Sequence, residues 1–242
     1  MIVRSFRLES CCVVGGICSL MLLAGCRGGD FGSELAARPK PRSLSRGDGQ
    51  TIRLPQDEPF SITLAPSRET PGLGGNAEAD AHVSKAGSAD AAAEVQNGGS
   101  AWAEFQLGHA FQNDSDRQME LQVRVRCEFE TAADATPPSS LPDAKVGLKL
   151  YARDGRNRLV RNFNLAQHST EEGAASSTDR KDIEFMLTLG PRERVDIFLA
   201  GSVGVETREG HSASGSIKLR GLDMELKTEM APPVKKAGDE QG

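Results

Sequence analysis

The feature that most constrains the fold is a stretch of strict alternation between residues 119 and 129. Every second position is apolar: Met119, Leu121, Val123, Val125, Cys127 and Phe129. The positions between them are polar or charged: Glu120, Gln122, Arg124, Arg126 and Glu128. Successive side chains of a strand point to opposite faces, whereas a helix would spread these apolar groups around its circumference. The stretch therefore predicts a β-strand with one buried face and one solvent face.

Weaker rows of the same kind recur from residue 101 onwards. They centre on residues 101–107, 146–150, 159–165, 183–189, 195–205 and 217–226. The intervening sequence carries turn formers, among them Asp154-Gly155 and Gly190-Pro191. These residues favour tight reversals between strands. The apolar parity switches at Arg220-Gly221, which predicts a β-bulge, and Gly201 and Gly204 would permit a bend or a further bulge.

These rows define the expected fold class. About seven or eight one-sided strands, with no helical pattern after residue 26, can bury their apolar faces as two packed antiparallel sheets. The sequence thus predicts an all-β chain with an antiparallel β-sandwich. Immunoglobulin-like and jelly-roll topologies both satisfy the pattern.

Composition sets the expected boundaries. Residues 26–50 are rich in Gly, Arg, Ser and Pro and are predicted to be a disordered tether. Residues 51–65 alternate briefly between prolines and are expected to form short edge strands. Residues 66–100 are rich in small and acidic residues and are predicted to be a disordered insertion or linker. The sandwich domain is placed at 101–230, followed by a disordered tail at 231–242.

Residues 1–25 have the three-part organisation of an export signal. Arg4 and Arg7 form a short basic region, residues 11–23 are uncharged and mostly apolar, and small residues follow. The sequence Leu23-Ala24-Gly25-Cys26 resembles the lipobox of bacterial lipoproteins. That resemblance implies cleavage before Cys26, diacylglycerol on its thiol and a fatty acyl group such as palmitate on the new amino terminus.

The resemblance also implies a location. A lipidated Cys26 would hold the protein at a membrane of the cell envelope, because two buried acyl chains suffice for stable attachment. Residue 27 is Arg rather than Asp, which favours the outer membrane in a Gram-negative cell. A second, shorter resemblance concerns Leu150-Tyr151 before Asp154-Gly155. It is similar to a hairpin of immunoglobulin-like domains in bacterial lipoproteins, although Ala152-Arg153 interrupt the pattern.

Charge and cysteine content exclude several classes of function. The chain has 29 basic and 34 acidic residues, a net charge of −5, so it lacks the basic excess that nucleic-acid binding requires. Once residues 1–25 are removed, Cys26 and Cys127 are the remaining cysteines. With Cys26 acylated, no intramolecular disulfide is possible. Cys127 lies on the apolar row and is expected to be a small buried hydrophobe.

No pattern in the sequence predicts catalysis, a metal or a cofactor. The four histidines are scattered, without metal-ligand spacing, and no serine stands in a nucleophile-elbow motif. We therefore expect a non-catalytic envelope module with a structural or protein-interaction role. The alternative is carbohydrate binding, with Trp102 and Tyr151 as candidate ligand-binding residues because both are out of phase with their apolar rows. The expected partners are the membrane and either envelope proteins or glycans.

Overall fold

The computed structural model describes residues 38–44, 49–138 and 143–230, which contain 13 strands and one short 3-10 helix at Thr170–Glu172. The strands are β1 (Arg42–Ser43), β2 (Thr51–Leu54), β3 (Ile62–Leu64), β4 (Ser67–Pro71), β5 (Asn76–Ser84), β6 (Ser88–Gln96), β7 (Gly99–Gln112), β8 (Met119–Thr136), β9 (Ala144–Asp154), β10 (Leu159–Ser169), β11 (Ala175–Leu189), β12 (Arg194–Thr207) and β13 (Ser212–Met230).

The strands form the two sheets of a β-sandwich. Sheet A has the order β1-β7-β12-β9-β10, with β3 and β4 also paired to the outer edge of β7. Sheet B has the order β11-β8-β13-β6-β5, with β2 paired to the second half of β13. All pairings are antiparallel except the short parallel pair of β1 with β7.

The strand order distinguishes between the two topologies that the sequence left open. Within β6–β13, the first, eighth, third and sixth strands are neighbours in sheet B. The second, seventh, fourth and fifth strands are neighbours in sheet A. This nesting of two Greek keys is the jelly-roll arrangement.

The core lies between the sheets, and β8 supplies its longest row. Every residue of the predicted apolar row from Met119 to Phe129 is at most 3% exposed. Strand β8 is flanked by β13 over its whole length and by β11 from Met119 to Ala133. The register with β13 shifts between Leu219 and Gly221, which confirms the predicted bulge. The members of the buried core cluster run from Leu44 to Leu226, so the sandwich contains its own core within the described ranges.

The prediction of a linker at residues 66–100 is wrong. This region forms β4, β5 and β6, and the last two complete sheet B. Strand β6 alternates strictly, with Ala89, Ala91, Ala93 and Val95 buried between exposed Asp90, Ala92 and Glu94. The period of two is therefore present in β6, but alanine occupies most of the buried positions. The alanine side chain is a single methyl group, so a strand that buries alanine resembles a polar linker in its composition.

The outcomes of the other predictions differ. Strands β2 and β3 lie within residues 51–65 and pair along β13 and β7. Strand β1 falls inside the predicted tether. The signal peptide at 1–25, Cys26 and the tail at 231–242 lie outside the described residues. Neither Gly201 nor Gly204 forms the bulge that the sequence would permit, because the pairing of β12 with β7 and β9 continues without a shift.

Candidate functional site

The outer face of sheet A, turned away from sheet B, differs from an ordinary solvent face. It is formed by alternate residues of β7, β12 and β9: Trp102, Glu104, Gln106, Phe198, Ala200, Ser202, Lys149, Tyr151 and Arg153. In register, Phe198 is flanked by Tyr151 on one side and Gly108 on the other. Ile62 of β3 pairs beyond Gly108 and extends the same row.

An apolar cluster occupies the middle of this face. Ile62, Tyr151, Phe198 and Ala200 form it, and none is more than 3% exposed. The rings of Tyr151 and Phe198 lie 5.5 Å apart between centroids. The guanidinium carbon of Arg153 lies 5.1 Å from the centre of the Tyr151 ring, a distance that allows a cation–π contact. All strands of the described ranges belong to the two sheets, so no strand of those ranges forms a third layer over the cluster.

Two buried polar side chains lie beside the cluster. Gln106 and Glu104 are 3% and 5% exposed, and the Gln106 amide Nε2 donates to Glu104 Oε1 at 2.8 Å. The other amide atom, Gln106 Oε1, accepts no hydrogen bond in the structure. A buried acceptor without a donor lowers stability until a partner supplies one. Gln106 Oε1 is itself buried, so this unpaired acceptor lowers local stability and is not an accessible contact point.

The structure places Trp102 and Tyr151 on this same face but does not bring them together. They pair with different residues of β12, Gly204 and Phe198. Six residues of strand correspond to about 20 Å. Tyr151 is 2% exposed, while Trp102 is half-buried. Their ligand-binding role stays a prediction, and a single stacking platform made of both rings does not form.

Glu104, Gln106 and Arg153 were not predicted from the sequence. Their signal was available in principle, because they share the parity of Trp102 and Tyr151 along β7 and β9. Alternation alone predicts that polar residues at that parity face solvent. Their burial depends on strand order and on the second apolar cluster, which local alternation does not reveal.

The outer face of sheet B has the opposite character. Arg124 of β8 pairs with Asp182 of β11 through two nitrogens at 2.8 and 2.6 Å. Arg180 donates to Glu128 at 2.8 Å, and that hydrogen bond lowers the pKa of the glutamate. These cross-strand pairs are exposed and typical of a solvated face.

The described residues provide no obvious catalytic group. Burial raises the pKa of the Cys127 thiol to about 11, which disfavours the reactive thiolate. In the described ranges, no group of three or more His, Cys, Asp or Glu side chains could hold a metal ion. Within the same ranges, no helix is long and apolar enough to cross a membrane.

His109 is a buried titratable group with a partner at each ring nitrogen. Its Nδ1 accepts the backbone N–H of Ser61 at 3.2 Å, and its Nε2 lies 3.3 Å from Glu58 Oε1. Arg42 of β1 reaches the same Glu58 oxygen at 2.5 Å. Burial lowers the pKa of His109, and the nearby Glu58 only partly opposes this effect. These contacts link β7, which contains His109, to β1 and to the segment before β3.

Comparison with known proteins gives weak structural neighbours. No protein-family model matches the chain, and no curated protein matches it. An α-L-arabinofuranosidase with bound arabinose has a TM-score of 0.25 and 10% identity, over 66% of this chain and 23% of that one. The lectin UEA-II complexed with galactose has a TM-score of 0.26 and 9% identity, over 70% of this chain and 100% of the lectin.

A third neighbour is a xylan-binding domain from Paenibacillus barcinonensis, with a TM-score of 0.20 and 10% identity over 77% of this chain and 99% of the domain. The chain spans about a quarter of the arabinofuranosidase. TM-scores this low carry no argument about ligand or activity. The class of protein rests on the fold itself, an antiparallel β-sandwich of jelly-roll order.

Proposed function

We propose that this chain is a lipid-anchored, non-catalytic binding module of a bacterial cell envelope. Diacylglycerol on Cys26 would attach it to a membrane, with the outer membrane favoured in a Gram-negative cell. The outer face of sheet A would be its contact surface for an envelope polypeptide. Neither a cofactor nor a metal has a part in this function.

One observation carries the choice of contact surface. The two outer faces of the sandwich differ, because sheet B presents paired charges while sheet A has a buried apolar cluster of Ile62, Tyr151, Phe198 and Ala200. Apolar side chains on the face opposite the core do not stabilise the packing between the sheets. Because these four residues are at most 3% exposed, a partner would contact the half-buried side chains around them, such as Trp102.

Carbohydrate binding is the second candidate. It is favoured by the half-buried Trp102 of β7. An indole ring offers a sugar ring a flat apolar surface and one hydrogen-bond donor. The burial of Tyr151 restricts such a site to the Trp102 end of the face.

The test places a charge at the centre of each outer face. Ala200→Lys would put an ammonium group into the apolar cluster of sheet A, and Ala92→Lys is the matched change on the exposed face of sheet B. We expect the intact protein and its Ala92→Lys variant to crosslink to the same envelope polypeptide. The Ala200→Lys variant should lose that product.

Circular dichroism would establish that both variants keep the strand content of the parent chain. Undiminished crosslinking by a folded Ala200→Lys variant would contradict the choice of face. Retardation of the protein in gels containing envelope polysaccharide, abolished by Trp102→Ala, would favour the carbohydrate candidate instead.

A further inference from the structure

Four segments meet at one end of the sandwich, which we call the basic end. They are the entry segment 38–42, the β7–β8 loop 113–118, the β9–β10 turn 154–158 and the β11–β12 turn 190–193. Arg38, the first described residue, donates a hydrogen bond from Nη1 to the carbonyl oxygen of Gly155. The chain therefore enters the sandwich at this end.

Cationic side chains at this end are exposed. They are Arg38, Lys40, Arg117, Arg156, Arg158 and Arg192. Arg192 and Arg158 have side chains 70% and 68% exposed, although the whole chain carries a net charge of −5. The basic residues are thus concentrated where the amino-terminal segment begins.

The same end also carries carboxylates: Asp114, Asp116, Asp154 and Glu193 lie in these segments, and Glu120 and Glu229 pair beside them. Asp154 accepts the backbone N–H groups of Arg156 and Arg158 at 2.9 and 2.8 Å and also pairs with the Arg158 guanidinium. Glu193 accepts the N–H of Gly190 at 2.7 Å. These two carboxylates hold the turns in shape but keep their charge, so the exposed charge at this end is six cations against Asp116, Glu193 and Glu229.

The opposite end of the molecule carries the reverse charge. Its exposed carboxylates are Glu69, Glu78, Glu94, Asp134, Glu171, Glu206 and Glu209. The exposed cationic residues near them are Arg68, Lys145 and Arg208. The described sandwich is therefore polarised along its strands, with its basic end on the side of the chain entry.

We propose that the basic end is a docking surface for anionic phospholipid headgroups. Its exposed cations would lie at the bilayer surface, with the strands pointing away from it and the outer face of sheet A accessible from the side. Clustered Lys and Arg residues are attracted to anionic lipid within a Debye length of the surface. The entry point agrees with this orientation, because the segment from Cys26 to Arg38 spans at most about 40 Å when fully extended.

This surface adds to the proposed lipid anchor but does not depend on it. The acyl chains of the anchor would already give stable attachment, so the basic end would add an electrostatic contact with the bilayer surface. The contact would also fix the orientation of the domain relative to the bilayer surface. The contact can be measured on a chain that carries no lipid.

The experiment uses residues 27–242, a range that includes the whole buried core. Cosedimentation is measured with vesicles of phosphatidylcholine containing phosphatidylglycerol and with vesicles of phosphatidylcholine alone. We expect binding to the anionic vesicles only, and we expect it to fall at 1 M salt, where the Debye length is about 3 Å. The triple variant Lys40→Ala, Arg117→Ala, Arg156→Ala should bind about a hundredfold more weakly, since each cation near an anionic surface contributes roughly a factor of five.

The control triple variant is Arg68→Ala, Lys145→Ala, Arg208→Ala, which removes the same charge from the opposite end. It should bind the anionic vesicles as the parent chain does. The proposal would be overturned if the two triple variants weakened vesicle binding equally. It would also be overturned if the parent chain bound vesicles with and without phosphatidylglycerol equally well. The outcome is separable from the anchor: a lipidated Cys26 with no vesicle binding by residues 27–242 would refute this surface and leave the proposed function intact.

Discussion

At the scale of single residues, Gly201 shows how a side chain in one strand dictates its neighbour. Gly201 pairs with Phe105 across β7 and β12, and the two lie against each other on the core side. A Cβ atom at Gly201 would lie 2.3 Å from Phe105 Cε1. The glycine is therefore required by the aromatic ring beside it and not by a bend in the strand.

This contact gives a stability prediction. Gly201→Ala should lower the free energy of unfolding by about 1–3 kcal/mol, because the ring must leave its position in a packed core. Gly204→Ala is the control on the same strand, since its nearest neighbour would be Trp102 Cδ1 at 4.0 Å. Denaturant unfolding should show a loss for the first variant only; similar midpoints for both would mean that the core accommodates the methyl group.

His109 gives a prediction about pH. Its pKa is lowered in the folded state, mainly by burial, so the unfolded chain binds more protons once the pH falls below about 6.5. The stability that neutral His109 contributes is complete above that pH and is lost as the pH decreases. Protonation would also put a hydrogen on Nδ1, where the Ser61 N–H already donates.

We expect the free energy of unfolding to be lower at pH 5 than at pH 7.5 in the parent chain. His109→Gln should reduce that difference, because the amide oxygen of glutamine can still accept the Ser61 N–H but does not titrate. Glu128, Asp179 and Asp182 have lowered pKa values, chiefly through hydrogen bonds from basic side chains, and their contributions are lost only at lower pH. An unchanged pH dependence in His109→Gln would assign the effect to other groups.

At the scale of elements, the strands divide into those that the sequence reveals and those that it conceals. Strand β8 could be predicted because large apolar residues occupy every second position. Strands β5 and β6 use alanine on their buried face, so the same period produced no hydrophobic signal. The candidate face was only partly predictable, because parity places Trp102 and Tyr151 on one face but strand order decides their separation.

A pair of neighbouring substitutions tests the register of β8. Val123→Asp would put a carboxylate where the native side chain is fully buried, and we expect a loss of about 4 kcal/mol or more. Gln122→Asp lies on the exposed face of the same strand and should change the free energy of unfolding by about 0.5 kcal/mol or less. Thermal unfolding of residues 27–242 would compare the two. Comparable losses would mean that both faces of the strand are buried.

At the scale of the whole molecule, the sandwich architecture followed from one-sided strands, whereas the jelly-roll order did not. Long-range pairing decides that order, and no local pattern specifies which strands become neighbours. The sheets are joined at their β10 and β11 edges by Phe163 and Phe185, whose ring centroids lie 5.2 Å apart. Those two phenylalanines belong to separate predicted strands, and only the assembled fold shows their contact.

The inclusion of residues 66–100 in the sandwich has a consequence for proteolysis. Under brief trypsin treatment, the native protein should keep Arg68 and Lys85 uncut, because both lie within or between hydrogen-bonded strands. Mass spectrometry of the resistant fragment should find residues 66–100 attached to β7. Rapid cleavage at Lys85, with loss of β5, would contradict the inclusion of residues 66–100 in the sandwich and support the linker prediction.

The central claim is that this sandwich is held at a membrane through a lipid on Cys26. The most direct measurement is the mass of the amino-terminal peptide of the protein extracted from the membranes of its native host. Cleavage after glutamate would release residues 26–34, and we predict that this peptide begins at Cys26 and carries diacylglycerol and an amide-linked fatty acid. Recovery from the mature protein of an unmodified peptide that spans Gly25 and Cys26 would contradict the account.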